Sequence, residues 1–130
     1  SSRNKLILAN ELRISNYFNE HPLIEEVLYP GLVGHTGHKI QKHQTGGLYG
    51  GMMSMIVKGN EKTAIDVTRF CNVFYPATSL GGVESLIEHR ATVSGLDFPV
   101  HPNLLRLSIG IEDADDLISD LEQALERANS

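Results

Sequence analysis

Eight residues near the end of the chain constrain its fold more than any other stretch. From Leu104 to Ile111 the sequence alternates: Leu105, Leu107, Ile109 and Ile111 take one side, and Leu104, Arg106, Ser108 and Gly110 take the other. A period of two is the signature of a strand with one face turned to a core. Directly afterwards the period becomes helical. Asp113 stands where an N-cap belongs, Asp115 and Asp116 load the first turn, and Leu117, Ile118, Leu121, Ala124, Leu125 and Ala128 form a stripe, with Arg127 near the C-terminal end. A one-sided strand feeding an amphipathic helix calls for a layer of helices over a sheet.

The rest of the chain supplies the partners. Asn4 to Asn19 reads as a helix, with Leu6, Ala9, Leu12 and Phe18 near 3.6-residue spacing and His21-Pro22 as its stop. Val27-Leu28-Tyr29 is a short strand closed by Pro30-Gly31, and Thr36 to Gln44 a polar helix. After the glycine pairs at 46–47 and 50–51, Met52 to Lys58 reads as a strand, Glu61 to Phe70 as a helix, and Val73-Phe74-Tyr75 as a strand closed by Pro76. Gly81-Gly82 opens a helix through about Ala91 with Val83, Leu86 and Ile87 as its stripe, and Pro99 and Pro102 mark a loop before the alternating run. No repeat or linker divides the chain, so residues 1–130 are expected to be one α+β domain: a mostly antiparallel four-strand sheet with helices packed on one face.

Composition excludes several classes. There are 11 basic and 16 acidic side chains, a net charge of −5, and neither a basic block nor a tryptophan, so nothing favours nucleic acid. No apolar run approaches the ~20 residues of a spanning helix, and Ser1-Ser2-Arg3-Asn4-Lys5 carries no signal pattern, so no membrane partner is expected. Cys71 is the single cysteine, which rules out an internal disulfide and points to a reducing, cytoplasmic setting.

Two features speak of chemistry, and both point to an anion. In Ala77-Thr78-Ser79-Leu80-Gly81-Gly82-Val83-Glu84-Ser85, paired glycines let backbone N–H groups approach a carboxylate or phosphate; equally, the stretch reads as a tight turn capped by Ser79 or Thr78. No Walker-type Gly-Lys-Ser/Thr follows. Arg106 shares its strand face with Leu104, Ser108 and Gly110, a setting that suits bidentate recognition of a carboxylate and equally a solvated surface arginine.

Other candidates read as structural. His21, His35, His38, His43, His89 and His101 include the spacing His35-Thr36-Gly37-His38, but with Cys71 alone and no His-Glu-x-x-His helix no metal is expected. Glu84, Glu88, Glu112, Asp113, Asp115 and Asp116 read as helix-dipole complements, and Met52, Met53 and Met55 as core filling. Lys5, Lys39, Lys42, Lys58 and Lys62 lie in polar or strand-end settings without the apolar pocket that activates an amine.

Taken in order, Val27-Leu28-Tyr29-Pro30-Gly31-Leu32, Gly50-Gly51-Met52, Thr78 to Ile87 and Leu104 to Leu121 resemble the C-terminal domain of the Cys/Met-metabolism family of pyridoxal-phosphate enzymes, the group of cystathionine γ-synthase, the cystathionine β- and γ-lyases and methionine γ-lyase. The resemblance implies a fold-type I enzyme about three times as long. Its cofactor is pyridoxal 5′-phosphate, its substrates are sulfur amino acids, and its reactions are carbon–sulfur elimination or γ-replacement in trans-sulfuration. It also implies a homo-oligomer. The catalytic lysine would lie in an N-terminal domain outside this chain, so the piece alone is expected to bind no cofactor and to be inactive. Arg106 matches the arginine that clamps the substrate α-carboxylate, assisted by the loop matched by Ser79 and Leu80. The chain departs from the family at Thr78, where many members carry glutamate, and in Glu88-His89-Arg90-Ala91-Thr92-Val93-Ser94-Gly95, where a proline-containing run ending in Met-Thr-His is usual. Two non-catalytic readings stand beside this one: a regulatory module binding small carboxylates, and an oligomerisation domain.

Overall fold

The computed structural model describes residues 2–28, 51–76, 84–91 and 100–130. Its elements run α1 (Ser2–Phe18), β1 (Ile24–Leu28), β2 (Met52–Val57), α2 (Glu61–Phe70), β3 (Tyr75–Pro76), β4 (Leu86–His89), β5 (Leu104–Ser108) and α3 (Ala114–Ala128). The strands form one sheet in the order β1-β2-β5-β4-β3. Four of them, β1, β2, β5 and β4, are antiparallel, and the two-residue β3 runs parallel to β4 at the edge. The expected α+β class with a four-strand antiparallel sheet therefore stands.

Strand alternation places the core. Val27, Met53, Met55, Val57, Ile87, Leu105 and Leu107 are buried together with Ile14, Phe18, Ala64, Val67, Leu117, Leu121, Ala124 and Leu125 of the helices. Leu105 and Leu107 are fully buried, a contribution of about 2 kcal/mol each. Met53 and Met55 join them as core filling, whereas Met52, read the same way, is half-buried opposite Ser108 on the other face of the sheet.

Local chemistry sets the helix boundaries. Asp113 caps α3 by accepting from the N–H groups of Asp115 (2.8 Å) and Asp116 (3.4 Å). Asn60 and Thr63 form a reciprocal capping box at the start of α2, and Arg127 stacks its guanidinium 4.2 Å over the ring of Phe70. Gly51, at φ +100°, sits where a Cβ would lie 2.7 Å from the Ile109 carbonyl oxygen, so the entry to β2 admits only glycine without a shift.

Three expectations need correction. The helix expected from Gly81-Gly82 to Ala91 is instead strand β4 over Leu86–His89, whose Ile87 enters the core beside Leu107. The pairing with β5 that fixes it is remote in sequence. The apolar stripe of α1 is also different: of the expected set only Phe18 is buried, Leu6, Ala9 and Leu12 being exposed, and Glu11, Ile14 and Ser15 face inward with it. The expected strand Val73-Phe74-Tyr75 shrinks to Tyr75–Pro76, because the backbone amides of Val73 and Phe74 are taken by Asp120 rather than by a neighbouring strand. The helix expected over Thr36 to Gln44 lies outside the described residues.

Candidate functional site

The face of the sheet turned from the helix-packed core carries the site. On β5 the residues between the buried leucines are Leu104, Arg106 and Ser108, all half-buried. Register puts Leu28, Ser54, Arg106 and Glu88 in one row across β1, β2, β5 and β4. Arg106 and Glu88 are direct cross-strand partners, close enough for their side chains to meet. They do: Arg106 Nη2 forms an ion pair with Glu88 Oε1.

The pair is unevenly exposed. Glu88 has 11% of its side chain accessible and Arg106 40%. The carboxylate is thus an enclosed anchor and the guanidinium reaches outward. A guanidinium holds five N–H donors in a planar fork, and Glu88 engages one Nη, so donors remain for a second anion. On the other side of Glu88, Arg90 Nη1 donates to the same Oε1 at 3.0 Å.

A second carboxylate fastens the chain just ahead of β4. Glu112 accepts from the Ser85 N–H (3.0 Å) and Ser85 hydroxyl (2.7 Å), while Ser85 Oγ accepts from the Gly110 N–H at 2.8 Å. The Asn10 amide of α1 donates to the carbonyls of Gly110 (3.0 Å) and Glu112 (2.6 Å), locking the end of β5 to the first helix. Ser85 and Glu112 therefore fasten the start of β4 to the turn after β5.

Arg106 is the sequence candidate that the structure places on an outward-reaching surface with an anchored fork. Ser79 and Leu80, with Thr78 and both glycines that follow, lie outside the described residues. Sequence reasoning missed Glu88, Arg90, Ser85 and Glu112. Glu88 and Glu112 were read as helix-dipole complements, yet Glu88 lies on a strand beneath Arg106 and Glu112 binds Ser85. The one signal available was the departure at Glu88-His89-Arg90 from the usual family run.

The histidines among the described residues serve the fold, while His35, His38, His43, Lys39 and Lys42 lie outside the described residues. His21 Nε2 lies 3.0 Å from Glu122, His89 Nε2 lies 2.6 Å from the Pro102 carbonyl oxygen, and His101 Nδ1 accepts from the Asn103 N–H. Among the described residues no group of three or more His, Cys, Asp or Glu could hold a metal ion, and no helix is long and apolar enough to cross a membrane. Burial pushes the Cys71 thiol far above its ordinary value, with the nearby Asp120 charge adding to the effect, so it is held as an inert thiol. Lys5, Lys58 and Lys62 are exposed. The lysines among the described residues thus offer no sheltered amine to which a pyridoxal aldehyde could attach.

The profile of the Cys/Met metabolism PLP-dependent enzymes matches residues 1–126. A cystathionine gamma-synthase of Mycobacterium tuberculosis is 45% identical over 121 residues, covering 89% of this chain and 31% of that protein. A cystathionine gamma-lyase of Dictyostelium discoideum is 40% identical over 126 residues, covering 91% and 32%. A crystal structure of a putative O-acetylhomoserine (thiol)-lyase from Campylobacter jejuni, containing N′-pyridoxyl-lysine-5′-monophosphate, superposes with a TM-score of 0.81 at 32% identity, over 96% of this chain and 32% of that one. The chain spans about a third of the length of the relatives it matches. With its sequence matched almost end to end and its fold shared, the chain belongs to the Cys/Met-metabolism family of PLP-dependent enzymes.

Proposed function

We propose that this chain is the C-terminal, substrate-clamping part of a PLP-dependent trans-sulfuration enzyme acting on sulfur amino acids such as cystathionine, by carbon–sulfur elimination or γ-replacement, and that Arg106 grips the substrate's α-carboxylate. One observation carries this reading: Arg106 projects from a central strand on the face turned from the helix-packed core, its guanidinium anchored by the enclosed Glu88 while 40% of its side chain stays exposed. A solvated surface arginine, the alternative, has no need of an enclosed carboxylate to hold it.

The clamp works by orientation. A planar fork engaging both carboxylate oxygens fixes their plane, limits rotation about the substrate Cα–N bond, and aligns the Cα–H bond for removal. When bound, pyridoxal phosphate supplies the electron sink for the pair released at Cα. Arg106 carries no proton in this scheme. It supplies fixed positive charge and geometry, and the Ser85–Glu112 tie holds the segment that leads back to Ser79 and Leu80, the residues read as its assistants. The lysine that takes the proton belongs to the part of the polypeptide preceding this chain.

Arg106→Ala in the full-length enzyme should remove roughly 2 to 4 kcal/mol of transition-state binding, about 30- to 1000-fold in kcat/KM. An unchanged specificity constant in a correctly folded variant would defeat the assignment.

A further inference from the structure

Glu88 serves two guanidiniums at once. Arg106 Nη2 and Arg90 Nη1 both reach the same oxygen, Oε1, the second at 3.0 Å. The carboxylate is the most enclosed member of the trio, at 11% against 27% for Arg90 and 40% for Arg106. Two cations on one anion leave the cluster a positive charge in excess. An enclosed carboxylate is costly to leave without a counter-charge. Arg106 can therefore turn to another anion without stranding Glu88 only if a second cation stays behind, and Arg90 is placed to be that cation.

We infer that Glu88 and Arg90 form a partner-exchange pair: Glu88 orients Arg106 while the site is empty, and Arg90 keeps Glu88 neutralised when Arg106 turns to the substrate's carboxylate. This rests on the reading of Arg106 as the carboxylate clamp. Glu88 and Arg90 are positioning residues here and touch no reacting atom.

Removing Arg90 makes Arg106 the cation left on Glu88, so Glu88 competes with substrate for it. Neutralising Glu88 in that background removes the competitor, which gives the exchange a signature that a merely structural pair lacks. In the full-length holoenzyme, Arg90→Ala should raise the KM for the amino-acid substrate about tenfold with kcat changed less than about twofold. The double variant Arg90→Ala with Glu88→Gln should return KM to within about threefold of the wild type, a strongly non-additive result. Arg90→Lys should stay near wild type, because an ammonium keeps the charge, and Arg90→Gln repeats the test should the alanine variant fold poorly. A KM within about twofold of wild type for both uncharged Arg90 variants, or a double variant as impaired as the single, overturns the exchange. If Arg106→Ala lowers kcat/KM while loss of Arg90 does nothing, the exchange alone falls; if Arg106→Ala also changes nothing, the clamp reading falls and takes the exchange with it.

Discussion

Asp120 is a buried carboxylate midway along a helix, where the apolar stripe of α3 would lead one to expect a hydrocarbon. Its reason lies outside its own element. Its oxygens accept from the backbone N–H groups of Asn72 and Val73 at 2.7 Å and of Phe74 at 3.0 Å, and the Gln123 amide donates to it at 3.1 Å. Three successive backbone donors, the Phe74 N–H among them buried, are satisfied by one side chain. Asp120→Ala should lower unfolding stability by about 3–5 kcal/mol, and Asp120→Asn, which keeps one acceptor oxygen, by clearly less. Chemical denaturation of both variants checks the order. Arg106 and Glu88 pose the same lesson at the site. Arg106 stands out in the sequence because it interrupts an apolar strand. Glu88 and Arg90 do not, because their importance comes from meeting Arg106 across the sheet, and register between two strands is not written in either strand alone.

The joint between α1 and α3 makes a prediction about pH. Tyr17 Oη donates to both Glu122 oxygens at 2.9 and 2.7 Å, and His21 Nε2 lies 3.0 Å from the second oxygen. The hydrogen bonds from Tyr17 and then His21 hold the Glu122 carboxyl below its ordinary value. The hydrogen bond to Glu122, with burial and the charges of Glu122 and Glu126, raises the Tyr17 hydroxyl above its ordinary 10.0. The folded state thus binds fewer protons at Glu122, so that contribution is present above the ordinary carboxylate range and is lost as pH falls through the lowered value. Tyr17 behaves in the opposite sense: its contribution is full below about pH 10 and is lost as pH rises through the raised value. Glu122→Gln should flatten both limbs of a Tm-against-pH curve, and curves that run parallel would contradict the pairing. Among the elements, β5, α2 and α3 were legible because each carries its own periodicity and, for the helices, its own cap in Asn60 or Asp113. β4 was not. Four residues are too few to display alternation, and Val83, Leu86, Ile87 and Ala91 imitate a helical stripe after a glycine pair. In α1 the helix was legible and its inward side was not, since Leu6, Leu8, Leu12 and Tyr17 are exposed while Glu11 and Ser15 are buried.

For the molecule as a whole, those exposed side chains on the first helix matter, because the chain spans about a third of the length of its relatives. Exposed leucines grouped on one helix form a surface that water disfavours. The 130-residue chain by itself should therefore self-associate as its concentration rises in size-exclusion chromatography, and Leu8→Lys with Leu12→Lys should return it to a monomer; a wild-type chain that stays monomeric throughout would contradict this. The family was legible from motifs spread along nearly the whole chain, whereas of the proposed clamp only Arg106 lies among the described residues. The decisive measurement on that clamp compares a sulfur amino-acid substrate with its amide, in which the α-carboxylate has become a carboxamide, in full-length wild-type and Arg106→Ala enzymes. If the guanidinium grips the carboxylate, wild type should prefer the acid by about 100-fold in kcat/KM, and that preference should shrink to within a few-fold in the variant. An equal preference in both enzymes would mean that the carboxylate is held somewhere else.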